Sequence, residues 1–144
     1  MARVLVVDDE PDVLLLCRVN LQHAGHEVFE AGDGALAIEL ARRELPDAIV
    51  LDLMLPQVGG YDVLDALRSD EATREIPVCV LTAKAQLEDK IRCWQEGASE
   101  FMTKPFSPAA LTETLETLIA MDPQERRERR EATVRKLLEE PVWR

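Results

Sequence analysis

Three features that mark large classes of protein are missing from this chain of 144 residues. It has no surplus of positive charge, since 17 Lys and Arg stand against 28 Asp and Glu, for a formal net charge of −11. Nucleic-acid backbones are bound by clustered Lys and Arg, so we expect no direct contact with DNA or RNA. No apolar run approaches the roughly 20 residues of a membrane helix, and no signal-peptide pattern opens the chain. We therefore expect a cytoplasmic protein that makes no membrane contact.

Paired cysteines are missing as well. Cys17, Cys79 and Cys93 are odd in number, no two are spaced as C-x-x-C, and all three lie in apolar or helical contexts. We interpret them as reduced packing residues, which excludes a disulfide scaffold and disfavours a metal or redox role for the cysteines.

Apolar runs that alternate with amphipathic segments predict the fold. The runs typical of buried or half-buried strands are 4–7, 27–31, 48–51, 78–81 and 100–103. The segments whose apolar residues recur with helical spacing are about 11–24, 34–45, 61–68, 86–96 and 107–121. Five strand–helix units in alternation predict an α/β fold, a doubly wound five-stranded parallel sheet in the order 2-1-3-4-5 with helices on both faces.

Residues 122–144 differ from the rest of the chain. They hold 7 basic and 6 acidic side chains, whereas residues 1–121 hold 10 basic and 22 acidic ones. An acid cap at Asp122, followed by Pro123 and Glu125, is typical of a helix start. A small apolar stripe follows, made of Val134, Leu137, Leu138, Val142 and Trp143. We predict a domain over 1–121 and a charged helical tail over 122–144, which is either a dimerisation or partner helix or a helix packed on its own domain.

Four polar signals each follow one of the predicted strands. Asp8-Asp9 follows VLVV, Asp52 follows AIVL, Thr82 follows VCVL, and Lys104-Pro105 follows EFMT. The carboxyl ends of parallel strands lie along one edge of the sheet, and ligands bind in the crevice there. We therefore expect these side chains to converge on one site, near the topological switch between strands 1 and 3.

The chemistry of these residues suggests a divalent cation and a phosphoryl group. Adjacent carboxylates repel each other unless a cation or a shared proton relieves them, and Mg²⁺ prefers one or two carboxylates with waters and phosphate oxygens. Asp52 has the chemistry of a nucleophile that carries an acyl phosphate, and Lys104 that of a phosphate partner on a candidate cis peptide. Structural roles stay open from the residues alone: capping for the acids and Thr82, an exposed loop position for Lys104, and plain packing for Phe101.

Four segments together resemble a known family. VLVVDDEPDVL, IVLDLMLPQVGGYDVL, PVCVLTAK and GASEFMTKPF occur in the order and at the spacing of the receiver domain of two-component response regulators, over residues 3–120. The resemblance, to the single-domain type, implies that Asp52 is the phosphoacceptor. It implies an Mg²⁺ site in which Asp9 is a direct ligand and Asp8 a water-mediated one, with Asp52 and the main-chain carbonyl of Met54 completing the protein ligands.

The resemblance also implies a switch. Thr82 and Phe101 would be the switch pair, and Lys104 would contact the phosphoryl group. A histidine kinase or phosphotransfer protein, or a small phosphodonor, would phosphorylate Asp52 and so remodel the face of helix 4, strand 5 and helix 5. That face, which includes Trp94, Gln95, Phe101 and the 107–121 helix, would bind an unknown downstream protein or a second copy of the chain, as the tail also would. The domain would lose its phosphoryl group by self-catalysis and would otherwise not be an enzyme.

Departures from the family pattern and two other interpretations remain. Val58-Gly59 stand where Met followed by Asp or Asn is common, and Met54 and Lys84 occupy variable positions that we expect to tune the phosphoryl lifetime. One alternative is the N-terminal receiver fragment of a larger DNA-binding regulator, with the tail as a linker helix. The other is an aspartyl-phosphate phosphatase, which is disfavoured because such enzymes carry a D-x-D motif after the first strand and here Asp8 and Asp9 are adjacent.

Overall fold

The computed structural model describes residues 1–83 and 86–139. Its strands are β1 (Arg3–Val7), β2 (Glu27–Ala31), β3 (Ala48–Leu51), β4 (Val78–Thr82) and β5 (Glu100–Thr103). Its helices are α1 (Pro11–His23), α2 (Gly34–Glu44), α3 (Gly60–Ser69), α4 (Leu87–Gln95), α5 (Pro108–Ala120) and α6 (Pro123–Leu138). The strands form one parallel sheet in the order β2-β1-β3-β4-β5, so the predicted doubly wound fold and its strand order are confirmed.

The core lies on both faces of the sheet, because successive strand residues point to opposite sides. On one face the strand residues pack against α2, α3 and α4, with Leu5, Ile49 and Val80 among them. On the other face they pack against α1 and α5, with Val4 and Val50 among them. Both faces are apolar and covered, which is why the strands appear in the sequence as continuous apolar runs.

The three cysteines are buried and free, as predicted. Cys17 and Cys79 belong to the core layer under α1 and α5, and Cys93 belongs to the opposite layer. Burial raises the pKa of the Cys17 thiol to about 12 and that of the Cys93 thiol to about 11, so both stay protonated at neutral pH.

Helix ends follow local chemistry that the sequence displays. Ser107 accepts a hydrogen bond from the amide of Ala110 and begins α5, and Asp122 and Glu125 form the predicted capping box of α6. The end of α2 is different in detail. Leu45 precedes a proline, yet it adopts a left-handed φ of 45° instead of an extended conformation, and its amide donates to the carbonyl of Ala41. The helix therefore ends where we predicted, through a left-handed cap.

The loop after β3 is held by close backbone packing. Gly60 is buried and begins α3, one residue before the predicted start. A Cβ at this position would lie 2.5 Å from Leu53 Cα and 2.6 Å from the Asp52 carbonyl oxygen, so only glycine fits. On the other side of the loop, Val58 lies against Gly34 at the start of α2. The segment that leaves Asp52 is thus fixed from both ends.

The helical tail packs on its own domain, beside α4 and β5. Of its predicted apolar stripe, Val134 and Leu137 are half-buried and Leu138 is 59% exposed. Val142 and Trp143 lie outside the described residues. Within the described ranges, no helix has the length and apolar character needed to cross a membrane. The division into a domain over 1–121 and a tail over 122–144 stays a prediction.

Candidate functional site

Carboxylates from two neighbouring strand ends meet at the carboxyl edge of the sheet. Asp8, Asp9, Glu10 and Asp52 each offer an oxygen, and these oxygens lie within 4.8 Å of one another. The backbone explains the approach, because the amide of Asp52 donates to the carbonyl of Val7 at 3.0 Å and so extends the pairing of β1 with β3. Asp8 and Asp52 are buried, whereas Asp9 and Glu10 are exposed.

Lys104 is the cation of this cluster. Its Nζ lies 2.9 Å from Asp8 Oδ2, 3.0 Å from Glu10 Oε1 and 3.2 Å from Asp52 Oδ2. The Lys104 amide donates to the carbonyl of Thr82 at 2.9 Å, which ties the loop after β5 to the end of β4. The Lys104–Pro105 bond is cis, as predicted. The predicted convergence of the β1, β3 and β5 ends is therefore present in the structure.

Glu10 belongs to the site, although the sequence motifs did not predict it. Its carboxylate joins the acid cluster and pairs with Lys104, although the side chain is exposed. Its amide donates to Asp8 Oδ1 at 2.9 Å, in the same way as the amide of Met54 donates to Asp52 Oδ1 at 3.0 Å. The only sequence signal was the position of Glu10 directly after two acids, and its contact with a lysine 94 residues away depends on the fold.

Charge in the site is unevenly compensated. Burial raises the pKa of Asp8, and the nearby Asp52 charge raises it further, while the Lys104 ammonium and the Glu10 amide act in the opposite direction. Burial by itself would lower the pKa of Lys104, but its contacts with Asp8 and Glu10 and the charge of Asp52 raise it well above its ordinary value. Among the described residues, the cation Lys104 therefore faces four carboxylates.

One carboxylate oxygen of the cluster, Oδ2 of Asp8, lacks a well-aligned hydrogen-bond donor in the described part of the chain. Asp8 Oδ2 is buried and, among the described residues, accepts no hydrogen bond of good geometry, although the Lys104 ammonium lies 2.9 Å away. A buried carboxylate oxygen without a directed donor is unfavourable unless another positive group reaches it. Carboxylate oxygens at this spacing are the donor set that Mg²⁺ accepts, so the residues fit a magnesium ion.

The predicted switch residues lie on the two strands next to the acid cluster. Thr82 is fully buried at the carboxyl end of β4, and in register it pairs with Thr103 of β5. Phe101 is half-buried, pairs in register with Val80, and packs against the core layer under α2, α3 and α4. Met54 follows Asp52 closely and is 53% exposed. Lys84 lies outside the described residues.

Similarity to known proteins agrees with this geometry. The family model of the response regulator receiver domain matches residues 4–116. The chain is 47% identical over 106 residues to the DNA-binding dual master transcriptional regulator RpaA of Synechocystis sp. strain PCC 6803, and the match covers 74% of this chain and 44% of that regulator. It is 35% identical over 120 residues to protein PilH of Pseudomonas aeruginosa, and here the match covers 83% of this chain and 99% of PilH. The chain thus spans less than half of the first relative and nearly all of the second.

A solved structure is similar over most of the chain. It is the receiver domain of the sensor histidine kinase PA1611 from Pseudomonas aeruginosa PAO1, with a magnesium ion coordinated in its active site cleft. The two chains are 32% identical and superpose with a TM-score of 0.77, which covers 83% of this chain and 98% of that one.

Proposed function

Because the chain belongs to the response regulator receiver domain family, we propose that it is a phosphorylation-dependent signalling module whose phosphoacceptor is Asp52. Receiver domains are in general non-enzymatic signal transducers that bind Mg²⁺ and interact with histidine kinases or phosphotransfer proteins. The observation that carries the proposal is the position of Asp52. It is a buried carboxylate at the end of β3, 3.2 Å from the Lys104 ammonium and inside a cluster of acids.

The transfer follows from the chemistry of a carboxylate. An oxygen of Asp52 forms a bond to the phosphorus of a phosphohistidine while the bond between phosphorus and imidazole nitrogen breaks, and the leaving imidazole keeps the electron pair. The Lys104 ammonium, already beside Asp52, offers positive charge to the new phosphoryl oxygens. The Thr82 hydroxyl, at the end of the adjacent strand, is the proposed hydrogen-bond donor to one of them.

The magnesium site falls on the same residues. We assign Asp9, Asp52 and the main-chain carbonyl of Met54 as the residues that would bind Mg²⁺ directly, and Asp8 as one that would bind it through a water molecule. When bound, the ion would supply positive charge that offsets the negative charge of the phosphoryl oxygens. The buried Oδ2 of Asp8, which lies 2.9 Å from Lys104 Nζ but accepts no directed hydrogen bond from the described residues, supports this assignment, and Glu10 adds a carboxylate at the rim of the site.

The phosphoryl donor docks beside the site. Leu15, Leu16 and Val19 of α1 are 49%, 41% and 55% exposed, an unusual amount of apolar surface for one helix. Because α1 begins at Pro11, directly after the acidic segment, these side chains lie on the element that leads out of the site. They fit a partner protein, a histidine kinase or phosphotransfer protein in the cytoplasm, that presents its phosphohistidine over Asp52.

The output is a change on the α4–β5–α5 surface, defined here as the outward sides of α4, β5 and α5. The phosphoryl group carries almost two negative charges where the Asp52 carboxylate carried one, and it adds new oxygens, which together bias the positions of Thr82 and Phe101. A downstream protein or a second copy of the chain then recognises the altered surface. Self-catalysed hydrolysis ends the signal, and Met54 and Lys84 tune its lifetime.

A second candidate function has its own observation. RpaA is a DNA-binding regulator of which this chain matches 44%, so the chain would be the receiver part of such a regulator. The match to PilH, which covers 99% of that protein, favours a receiver that acts alone. Both candidates share the phosphoacceptor chemistry.

The test is the intact mass of the protein after incubation with acetyl phosphate and Mg²⁺. We expect the wild type to gain one phosphoryl group and Asp52→Asn to gain none. Asp65→Asn is the matched control, because Asp65 is an exposed acid of α3 and the variant should be phosphorylated like the wild type. Phosphorylation of Asp52→Asn at the wild-type level would contradict the proposed acceptor.

A further inference from the structure

The part of the α4–β5–α5 surface formed by α4 and the start of β5 is covered by α6. The residues of α6 that are half-buried recur on one side of the helix, and they are Pro123, Arg126, Arg129, Arg130, Thr133, Val134 and Leu137. No residue from Pro123 to Leu138 is buried. The helix is therefore seated on the domain through an arginine-rich side and does not enter its core, unlike α1 to α5, each of which buries at least two residues.

Arg126 anchors the beginning of α6. Its guanidinium donates to the carbonyls of Leu118 and Met121 in the preceding segment and to the carbonyl of Glu75. Since Leu118 and Met121 lie where the chain leaves α5, and Glu75 lies in the segment before β4, these contacts hold the first turn of α6 in place and define a pivot. The rest of the helix can move about this pivot without breaking the α5 end.

Arg129 anchors the helix to β5. Its guanidinium donates to the carbonyl of Ser99 at 2.6 Å and to Glu100 Oε2, and it lies 5.5 Å from the centre of the Trp94 ring. Trp94 is only 5% exposed in this arrangement. A residue that we placed on the output surface is thus covered by the chain's own tail. We call this set of Arg129 contacts the latch.

The latch is joined to the proposed switch by one carboxylate. Glu100 Oε2 accepts from Arg129, while Glu100 Oε1 accepts from the amide of Phe101 at 3.0 Å. The contact is made by the Phe101 backbone, so a shift of β5 at Phe101 would move the carboxylate that holds Arg129. In the described part of the chain β5 is an edge strand, so α6 flanks a side of the sheet where no further described strand restrains it.

The contacts of Arg126, Arg127 and Arg129 with the rest of the domain, called here the seat of α6, are weak enough to break reversibly. The contacts are hydrogen bonds and ion pairs of partly exposed arginines, which contribute little each and weaken with salt. C-terminal to Arg129, a cleft of about 390 Å³ remains between α4 and α6. It is lined by Trp94 and Gln95 of α4 and by Arg130 and Val134 of α6. Such packing permits the helix to leave while the core under α4 and α5 stays intact.

We propose that α6 is a displaceable intramolecular occupant of the α4–β5–α5 surface, and that phosphorylation of Asp52 opens the Arg129 latch and admits a basic helix of a partner protein. The proposal rests on the proposed function. The kind of partner follows from charge, because residues 1–121 carry 22 acidic against 10 basic side chains, and the present occupant meets Glu75 and Glu100 with arginines. A replacement must bring an arginine to the same place, over Trp94.

The experiment is amide hydrogen exchange of the α6 segment in the full chain. Arg129→Gln should accelerate exchange in α6 by about fivefold, the effect expected from loss of one polar anchor. Arg135→Gln is the matched control, because Arg135 is an exposed arginine of the same helix whose side chain makes no hydrogen bond or ion pair with the described residues, and it should match the wild type. Acetyl phosphate with Mg²⁺ should accelerate α6 exchange in the wild type and not in Asp52→Asn.

The outcomes distinguish a failure of the latch, a failure of its coupling to phosphorylation and a failure of the proposed function. Equal α6 exchange in Arg129→Gln and Arg135→Gln would overturn the latch. If the intact mass shows a phosphoryl group on the wild type while α6 exchange is unchanged, the coupling is overturned and the proposed function stands. If no phosphoryl group is gained, both are overturned.

Discussion

The site at the carboxyl edge and the seat of α6 are both held by charged side chains, but the two regions differ in burial. In the site, Asp8 and Asp52 are 1% and 2% exposed and surround the Lys104 ammonium. At the seat of α6, the side chains of the Arg127–Glu75 pair are 47% and 50% exposed. Buried charges produce strong fields at a cost in stability, while exposed ones hold weakly and reversibly.

This difference in burial suits the two regions to different roles, phosphoryl chemistry in one and reversible binding in the other. A phosphoacceptor site needs fixed charges in a low-dielectric setting, where each charge acts strongly on a ligand. A surface that exchanges one partner for another needs contacts that water can replace. The chain has both kinds of region. The ends of β1 and β3 bring buried carboxylates together, and α6, a helix with no buried residue, provides the exposed contacts.

The largest effect is expected from breaking the backbone contact behind the site. Gly60→Ala places a methyl group 2.5 Å from Leu53 Cα and 2.6 Å from the Asp52 carbonyl oxygen. Since backbone must shift, we expect a loss of about 3 kcal/mol or more in the free energy of unfolding, with slower phosphorylation of the displaced Asp52. Urea unfolding followed by circular dichroism measures the first effect and intact mass the second.

Gly59→Ala is the control for this prediction. A Cβ at Gly59 has its nearest contact at 3.6 Å, with Asp62 Oδ2, which is an ordinary distance. We expect a change within about 1 kcal/mol, the range of substitutions at a helix N-cap. Equal losses in the two alanine variants would show that the close packing of Gly60 does not hold the loop.

An intermediate effect, of opposite sign, is expected from removing a buried charge. Asp8→Asn should raise the free energy of unfolding of the metal-free protein by about 1–2 kcal/mol at neutral pH, because a buried carboxylate gives way to a neutral amide. The same variant should lose most of the stabilisation that Mg²⁺ confers on the wild type. Thermal unfolding with a chelator and then with Mg²⁺ measures both quantities.

The pH dependence of that gain has a definite sign. Burial raises the pKa of Asp8, so the folded protein holds this proton at pH values where the unfolded chain, with an ordinary pKa of 3.8, has released it. The wild type therefore loses stability relative to Asp8→Asn as the pH rises through the interval above 3.8. The gain should be full at neutral pH and should shrink near the ordinary pKa. Asp9→Asn, at the exposed neighbour, should show a smaller gain, and equal gains would contradict the role of burial.

The smallest effect is expected at the exposed pair. Arg127→Gln removes the ion pair with Glu75, whose atoms lie 3.0 Å apart with both side chains about half exposed. We expect a change within about 0.5 kcal/mol in urea unfolding, and a smaller one at high salt. Arg74→Gln, next to Glu75 in the sequence and exposed, is the control. A loss above about 2 kcal/mol would place α6 within the cooperative core and would show that its contacts are not the weak, reversible kind.

Much of the fold and site could be predicted because the signals are local or topological. Ser107 and Asp122 begin helices through contacts three residues away, which a sequence displays directly. The convergence of Asp8, Asp52 and Lys104 required only the parallel order of the strands, since it places their carboxyl ends along one edge. The left-handed Leu45 was not predicted, because a proline after it argued for an extended residue.

The sequence by itself determined the alternation of strands and helices, the order of the sheet and the set of polar groups at its carboxyl edge, because periodicity and strand ends are properties of the chain. Only the tertiary structure decided that Glu10 shares Lys104, that Asp8 Oδ2 is buried without a directed donor, and that Arg129 covers Trp94. Those facts join residues far apart in sequence through side-chain reach and solvent exclusion. Side-chain reach and solvent exclusion leave no periodic or local pattern in the sequence, so these contacts are determined by tertiary packing alone.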